Sequence, residues 1–404
     1  MNPNLNKLQP YPFEKLKLLI DKHSPNSTLS AISLAIGEPQ HNTPDIIKQA
    51  LTENLQQLAK YPTTRGTEAL RNTFLEWLKK RFQLNSLAIN AENNFLPVNG
   101  TREALFAVAQ CVINSSEKPV VLIPNPFYQI YEGAALIAGA EPIYYNSEVI
   151  NGDIPGLWEI KDEYWQRCQL IYICTPGNPT GEVIPPLTLQ KLLGHSLKHN
   201  FTIASDECYS EIYSPNSKPP VGLLHVAQSL GNDALENCMA FYSLSKRSNA
   251  PGLRSGFVAG SSKLIQQFFQ YRTYHGCAMP LAVQAASIAA WSDEKHVAHN
   301  RQLYAEKFDA VLEIFKNTSL VCKKPEAGFY LWPTLPPNDD MDDEKFAQTL
   351  YVKKNILTLP GSYLARDNAS GQNPGKNHLR LALVAKKQEC IQAAQRITEF
   401  LQEI

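Results

Sequence analysis

Five short, unbroken apolar runs constrain the fold of this 404-residue chain more than any other feature. They are Val120 to Pro124, Leu170 to Thr175, Phe201 to Ser205, Met239 to Leu244 and Gly256 to Ala259. Continuous runs of this length, bounded by turn formers, suit strands covered on both faces. Between them the apolar spacing becomes helical. Thr101 to Ile113 sets Leu105, Val108, Ala109 and Val112 at i, i+3, i+4 and i+7, one stripe on one helix face. Leu187 to Asn200 has the same texture. Strand and helix in alternation predict an α/β fold, with a mostly parallel sheet sandwiched by helices.

Near residue 290 the pattern changes. His296 to Phe315 reads as a long, charged amphipathic helix. Short strand patterns follow at Gly328 to Trp332, Asn355 to Leu359 and His378 to Val384, with a polar loop over Arg366 to Asn377 and a final helix. This predicts a smaller α+β domain. At roughly 150 residues per domain the length allows two or three units. The expected division is 1–45 as an N-terminal arm with part of the small domain, 46–288 as the large domain and 289–404 as the small one. The Pro-rich first 40 residues are expected to form an arm that packs elsewhere.

Charge narrows the partners. Lys plus Arg and Asp plus Glu are both 38, so the net charge is zero. A nucleic-acid binder would show a basic surplus. No apolar run approaches the ~18 residues of a membrane helix, and the first residues lack the apolar core of a signal peptide. Eight cysteines are scattered without a C-x-x-C pair, which predicts reduced thiols and a cytoplasmic protein. His195 and His199, and His296 and His299, have helical spacing but lack a third ligand, so no metal is expected. No dinucleotide or triphosphate glycine motif occurs.

Three segments carry chemistry. In Ser243-Leu-Ser-Lys-Arg-Ser-Asn-Ala-Pro-Gly-Leu-Arg254, a lysine follows a buried strand among small hydroxyl residues, and an arginine returns eight positions later. Such a lysine is a solvated charge when it stands alone; in this company it suits a Schiff-base amine beside a phosphate. In Ser205-Asp-Glu-Cys-Tyr209, Asp206 ends an apolar strand. It suits either a helix N-cap or a buried carboxylate that keeps a pyridine nitrogen protonated. In Cys174-Thr-Pro-Gly-Asn-Pro-Thr-Gly181, Asn178 is either a turn residue or a ligand group at the carboxyl end of a parallel strand. Cys208 reads as core rather than as a nucleophile.

In this order the three segments resemble the fold type I pyridoxal-phosphate aminotransferases of class I/II. The resemblance implies that Lys246 holds the cofactor covalently and that Asp206 pairs with its ring nitrogen. It implies that Asn178 and Tyr209 bond the ring hydroxyl and that Ser243, Ser245 and Arg254 hold the phosphate. Gly100, Thr101 and Arg102 would open a helix whose free N–H groups receive that phosphate. Tyr128 would stack on the ring, and Tyr61 would reach the phosphate of a neighbouring subunit, implying a homodimer with shared sites. Gly37 and Arg380 would contact the substrate carboxylate. Ser255 departs from the small aliphatic residue usual in the family.

Pro10 to Leu16, Gly100 to Phe106, Pro124 to Gly133, Ser205 to Glu211, Ser243 to Asn249 and Tyr271 to Pro280 further resemble the succinyldiaminopimelate aminotransferases of proteobacterial type. That resemblance implies amino-group exchange between glutamate and N-succinyl-2-amino-6-oxopimelate, in lysine and diaminopimelate synthesis. The alternatives are an aspartate or aromatic aminotransferase, a carbon–sulfur lyase, or a cofactor-binding sensor of the same fold. The sensor normally follows a basic winged-helix region, and Gly37 is expected to lie too near Met1 for one. Arg272, Tyr274 and His275 are expected to meet the far end of a long substrate; the alternative is that Tyr274 and His275 pack a subunit contact and that Arg272 is a surface residue. Tyr11 to Phe13 is a second candidate, as a flap.

Overall fold

The five apolar runs form the centre of one seven-stranded sheet. The computed structural model describes residues 1–276, 278–368 and 370–404. In chain order its strands are β1 (Ile32–Ser33), β2 (Phe95–Val98), β3 (Val120–Asn125), β4 (Glu141–Asn146), β5 (Cys168–Cys174), β6 (Thr202–Asp206), β7 (Cys238–Ser243), β8 (Gly256–Gly260), β9 (Tyr330–Leu331), β10 (Ile356–Leu357), β11 (Leu359–Pro360) and β12 (Leu379–Ala382). The large sheet runs β2-β8-β7-β6-β5-β3-β4. Only β8 runs against the direction of the other six strands.

Alternate side chains of each strand enter opposite cores, as a period of two requires. Ile171 and Ile173 join Phe74, Trp77 and Phe257 on one face. Leu170 and Tyr172 join Leu105, Val108 and Tyr131 on the other. Both faces are therefore dry, which is why these strands read as unbroken apolar runs. The helices Thr101–Val112, Pro186–His199 and Lys295–Phe315 lie within a residue or two of the expected ones.

Two strands of the large sheet escaped the sequence reading. Both are sheet edges, and both carry a proline: Pro97 in β2 and Pro142 in β4. Proline donates no ladder bond and favours such edges; Pro124 of the interior strand β3 sits past that strand's last pair with β5, Leu122 with Ile171.

The smaller part is an antiparallel sheet, β11-β12-β9, beside a parallel β1-β10 pair. Its core gathers Phe308, Leu331, Phe346, Leu381 and Phe400. The expected strand over Asn355 to Leu359 is in fact two, β10 pairing with β1 and β11 pairing with β12. The N-terminal segment packs on the smaller part. Its helix Pro12–Ile20 packs Leu16 and Phe13 against Leu359 and Leu364. Arg366 to Asn377 carries no strand or helix among its described residues; Ala369, and also Cys277, lie outside the described residues.

This topology brings several chain segments to one edge. The residues following β2, β3, β5, β6 and β7 all emerge at the carboxyl end of the parallel strands, where α/β sheets bind ligands. Because β8 runs backwards, the residues preceding it arrive at that same edge, with Ser243 paired to Gly256. Arg254 comes with them.

Candidate active site

A cavity of about 510 Å³ opens at this edge, with Lys246, Asp206, Asn178, Tyr209 and Arg380 in its wall. Lys246 lies on the one-turn helix Leu244–Arg247, capped by Ser243, whose Oγ accepts the Ser245 N–H at 3.1 Å. The following turn is tied down from a distance. Asn300 Nδ2 donates to the Lys246 and Arg247 carbonyls at 3.3 and 3.4 Å. Ser248 Oγ meets His296 Nε2 at 2.8 Å, and His296 Nδ1 meets Asp293 at 2.6 Å. Ser248, His296 and Asp293 have the order of a hydrolase triad. Ser248 is wholly buried, however, so the chain of bonds braces the lysine turn.

Lys246 Nζ donates to the Gly37 carbonyl at 2.7 Å. Burial pushes its pKa down to about 8; Arg380 pushes the same way, and Cys208, Glu38 and Asp206 oppose. An amine so poised is partly neutral near pH 7, the state in which it attacks a carbonyl or takes a proton.

Asp206 ends β6 and is buried. Its Oδ2 accepts the Tyr131 hydroxyl at 2.8 Å, and its Oδ1 accepts the Cys208 N–H at 3.2 Å. Burial raises its pKa, and the bonds from Cys208 and Tyr131 and the charge of Lys246 restrain the rise. No helix follows it directly, so the N-cap reading fails. Cys208 is buried core, with Sγ 2.9 Å from Thr101 Oγ1.

Two tyrosines absent from the sequence reading complete the wall's support. Tyr131 holds Asp206. Tyr330, from β9, places its hydroxyl 3.2 Å from that of Tyr209, and the Arg380 guanidinium sits 4.5 Å from its ring centroid. A side chain on Gly37 would meet the Tyr330 hydroxyl at 1.9 Å, so glycine is required there. Arg380 donates from Nη1 to Asn178 at 3.1 Å and from Nη2 to the Ala35 carbonyl at 2.8 Å. Its buried Nε has no hydrogen-bond partner among the described residues, which leaves one side of the fork for a ligand carboxylate.

The helix Thr101–Val112 points its N-terminus into the cavity and has no side-chain cap. Gly100 precedes it at φ +91°, and a β-carbon there would lie 2.1 Å from Arg254 Nη2. Uncapped N–H groups and an adjacent guanidinium make an anion cradle. Tyr128 lines the wall edge-on to Tyr131, ring centres 5.7 Å apart. Arg102 lies 5.6 Å from the Tyr11 ring, and Phe13 lies 5.9 Å from the Arg380 guanidinium. The Tyr11 to Phe13 segment therefore borders the cavity directly. A larger groove of about 750 Å³, lined by Lys323, Trp332, Lys376 and His378, lies elsewhere.

Other expected residues fall outside the cavity. Tyr61 is fully exposed. His275 ends the helix Ser262–His275, exposed and stacked on Tyr271 at 5.6 Å. The expectation that Arg272 meets substrate is wrong: it is completely buried, with Nη1 2.6 Å from Glu103 Oε2. Ser255 bonds Ser287 at 2.6 Å in the core, away from the cradle.

The amine, the buried carboxylate and the anion cradle fit pyridoxal phosphate: Lys246 for its aldehyde, Asp206 for its ring nitrogen and the Gly100–Arg254 cradle for its phosphate. Comparison with known proteins agrees. The structure superposes on an aminotransferase from Neisseria meningitidis Z2491 with a TM-score of 0.93 and 45% identity, covering 99% of this chain and 100% of that one. For aminotransferase AspB from Helicobacter pylori 26695 the TM-score is 0.87 and the identity 36%, over 98% of this chain and 100% of that one. A curated relative, the LL-diaminopimelate aminotransferase of Maridesulfovibrio salexigens, is 27% identical over 399 residues, 98% of each chain. The family described as "Aminotransferase class I and II" matches residues 30–397, a span that includes every cavity residue named above except the Tyr11 to Phe13 segment. The chain belongs to the class I and II aminotransferase family.

Proposed function

We propose that this pyridoxal-phosphate-dependent aminotransferase moves an amino group between L-glutamate and N-succinyl-2-amino-6-oxopimelate, in diaminopimelate and lysine synthesis. The observation that carries the reading is the pair of guanidinium groups, Arg380 and Arg102, that line the cavity in addition to the cradle's Arg254. Arg380 takes the α-carboxylate and Arg102 is placed for a second, distal anionic group. Glutamate carries two carboxylates and the succinylated oxo acid three, so each offers an anionic group beyond its α-carboxylate. The named segments resemble succinyldiaminopimelate aminotransferases, and curated relatives are named LL-diaminopimelate aminotransferases.

Pyridoxal phosphate, when bound, supplies an aldehyde that captures amino groups and a ring that withdraws electrons from the substrate α-carbon. The chain does the rest. Lys246 would take the proton from that carbon as base and, as acid, deliver it to the carbon that was the cofactor's aldehyde carbon. Asp206 keeps the ring nitrogen protonated, with Tyr131 holding the carboxylate in place. Asn178 and Tyr209 would bond the ring oxygen, and Tyr128 would cover the ring. Ser243, Ser245, Gly100, Thr101 and Arg254 secure the phosphate.

We also infer a homodimer with shared sites. Tyr61 is exposed and outside its own chain's cavity, as a residue serving a partner's phosphate would be. A role for His275 toward substrate would likewise need a second copy. The proposed division into 1–45, 46–288 and 289–404 keeps the seven-stranded sheet in one unit. The seven described cysteines are free, which suits a cytoplasmic protein; among the described residues no helix is long and apolar enough to cross a membrane.

The test is a rate comparison of the wild-type enzyme on the succinylated oxo acid, oxaloacetate and aromatic oxo acids, each with glutamate. A preference for the succinylated acid is expected. A strong preference for oxaloacetate would replace the substrate assignment with an aspartate aminotransferase and leave the chemistry standing.

A further inference from the structure

The anion cradle contains an anion of its own. Glu103 lies in the first turn of the helix Thr101–Val112. Its Oε1 accepts the Asn99 N–H at 2.8 Å and so braces the turn that carries Gly100. A carboxylate at a helix N-terminus is stabilising by itself, because it meets the positive end of the helix dipole. Here the same helix end is the one that faces the cavity, and a phosphate arriving there would meet a negative neighbour. Arg272 answers this. It reaches Glu103 Oε2 at 2.6 Å from the helix Ser262–His275, 169 residues along the chain, and it is completely buried. The guanidinium is completely buried and the Glu103 side chain three-quarters so, and the ion pair offsets the carboxylate's charge beside the helix end.

We propose that Arg272 is a positioning residue for the cofactor phosphate: by neutralising Glu103 it lets that carboxylate brace the Asn99–Gly100 turn without opposing the phosphate. The proposal rests on the assignment of the cradle to pyridoxal phosphate. It gives a role to a completely buried arginine that is not part of the cavity wall. It also links the end of the helix Ser262–His275 to cofactor affinity.

The test titrates cofactor-free, full-length protein with pyridoxal phosphate and with pyridoxal, which lacks the phosphate, and reads the ratio of the two dissociation constants. A variant that only loosens the fold weakens both ligands and leaves the ratio alone. Arg272→Gln should lower the preference for the phosphorylated ligand at least tenfold. Arg272→Lys, which keeps the charge, should hold it within threefold of wild type. The double variant Glu103→Gln/Arg272→Gln should also return within threefold, since the uncompensated anion is gone. Should Arg272→Gln fail to fold, the double variant and Glu103→Gln alone carry the test; Glu103→Gln should match or exceed the wild-type preference. An unchanged ratio in Arg272→Gln, a double variant no better than it, or a tenfold fall in Glu103→Gln or Arg272→Lys would overturn the proposal. A wild-type protein that binds both ligands equally would instead remove the cradle assignment itself.

Discussion

Lys246 Nζ donates to the carbonyl oxygen of Gly37 at 2.7 Å, across 209 residues of chain. The amine is thus held by the strip that follows β1, and the missing side chain of Gly37 makes room for Tyr330. One small residue sets the place of both the amine and the tyrosine that supports Tyr209.

That setting has a pH signature. The folded pKa of Lys246 is lowered to about 8 from 10.5, first by burial. Only the neutral amine captures an aldehyde. The rate of pyridoxal phosphate capture by cofactor-free protein should therefore rise nearly tenfold per pH unit between about 6 and 7.5 and level off above about 8. Stopped-flow absorbance measures it. A rate still climbing tenfold per unit through pH 9.5 would mean an ordinary lysine.

Gly100→Ala should damage the cradle while leaving the sheet intact. The φ of +91° costs a residue with a β-carbon ~1–3 kcal/mol, and that carbon would also push Arg254 Nη2 aside. The expected result is a tenfold or greater loss of pyridoxal phosphate affinity with a smaller loss for pyridoxal. Equal losses for both ligands would place the phosphate elsewhere.

Arg380→Lys should raise KM for glutamate and for the oxo acid together. A lysine cannot donate to Asn178 and Ala35 and also grip a carboxylate along one side of a planar fork. A loss of roughly 1.5–3 kcal/mol corresponds to about 10- to 150-fold. Steady-state kinetics with each substrate varied would show it. A KM change for only one of the two would mean that Arg380 serves the distal end.

Chain-local signals made part of this legible. Buried strands announce themselves as continuous apolar runs, and Lys246, Asp206 and Asn178 each lie within three residues of the end of one. The edge strands β2 and β4 did not, because Pro97 and Pro142 break the run and one face of β4 is partly exposed. Tyr131 and Tyr330 were invisible for another reason. Each supports a site residue 75 or 121 positions away, and no local spacing encodes that contact. Arg272 misled in the same way: a guanidinium near a helix end reads as available until Glu103 closes on it from a distant segment.

The central claim is that Lys246 is the amine that holds the cofactor. The direct measurement is borohydride reduction of the purified holoenzyme, followed by proteolysis and peptide mass mapping. The pyridoxyl mass is expected on Lys246, in near-stoichiometric yield, and on no peptide of the Lys246→Ala variant at comparable yield. A pyridoxyl group on another lysine, or none in wild-type protein that is fully active, would contradict the account.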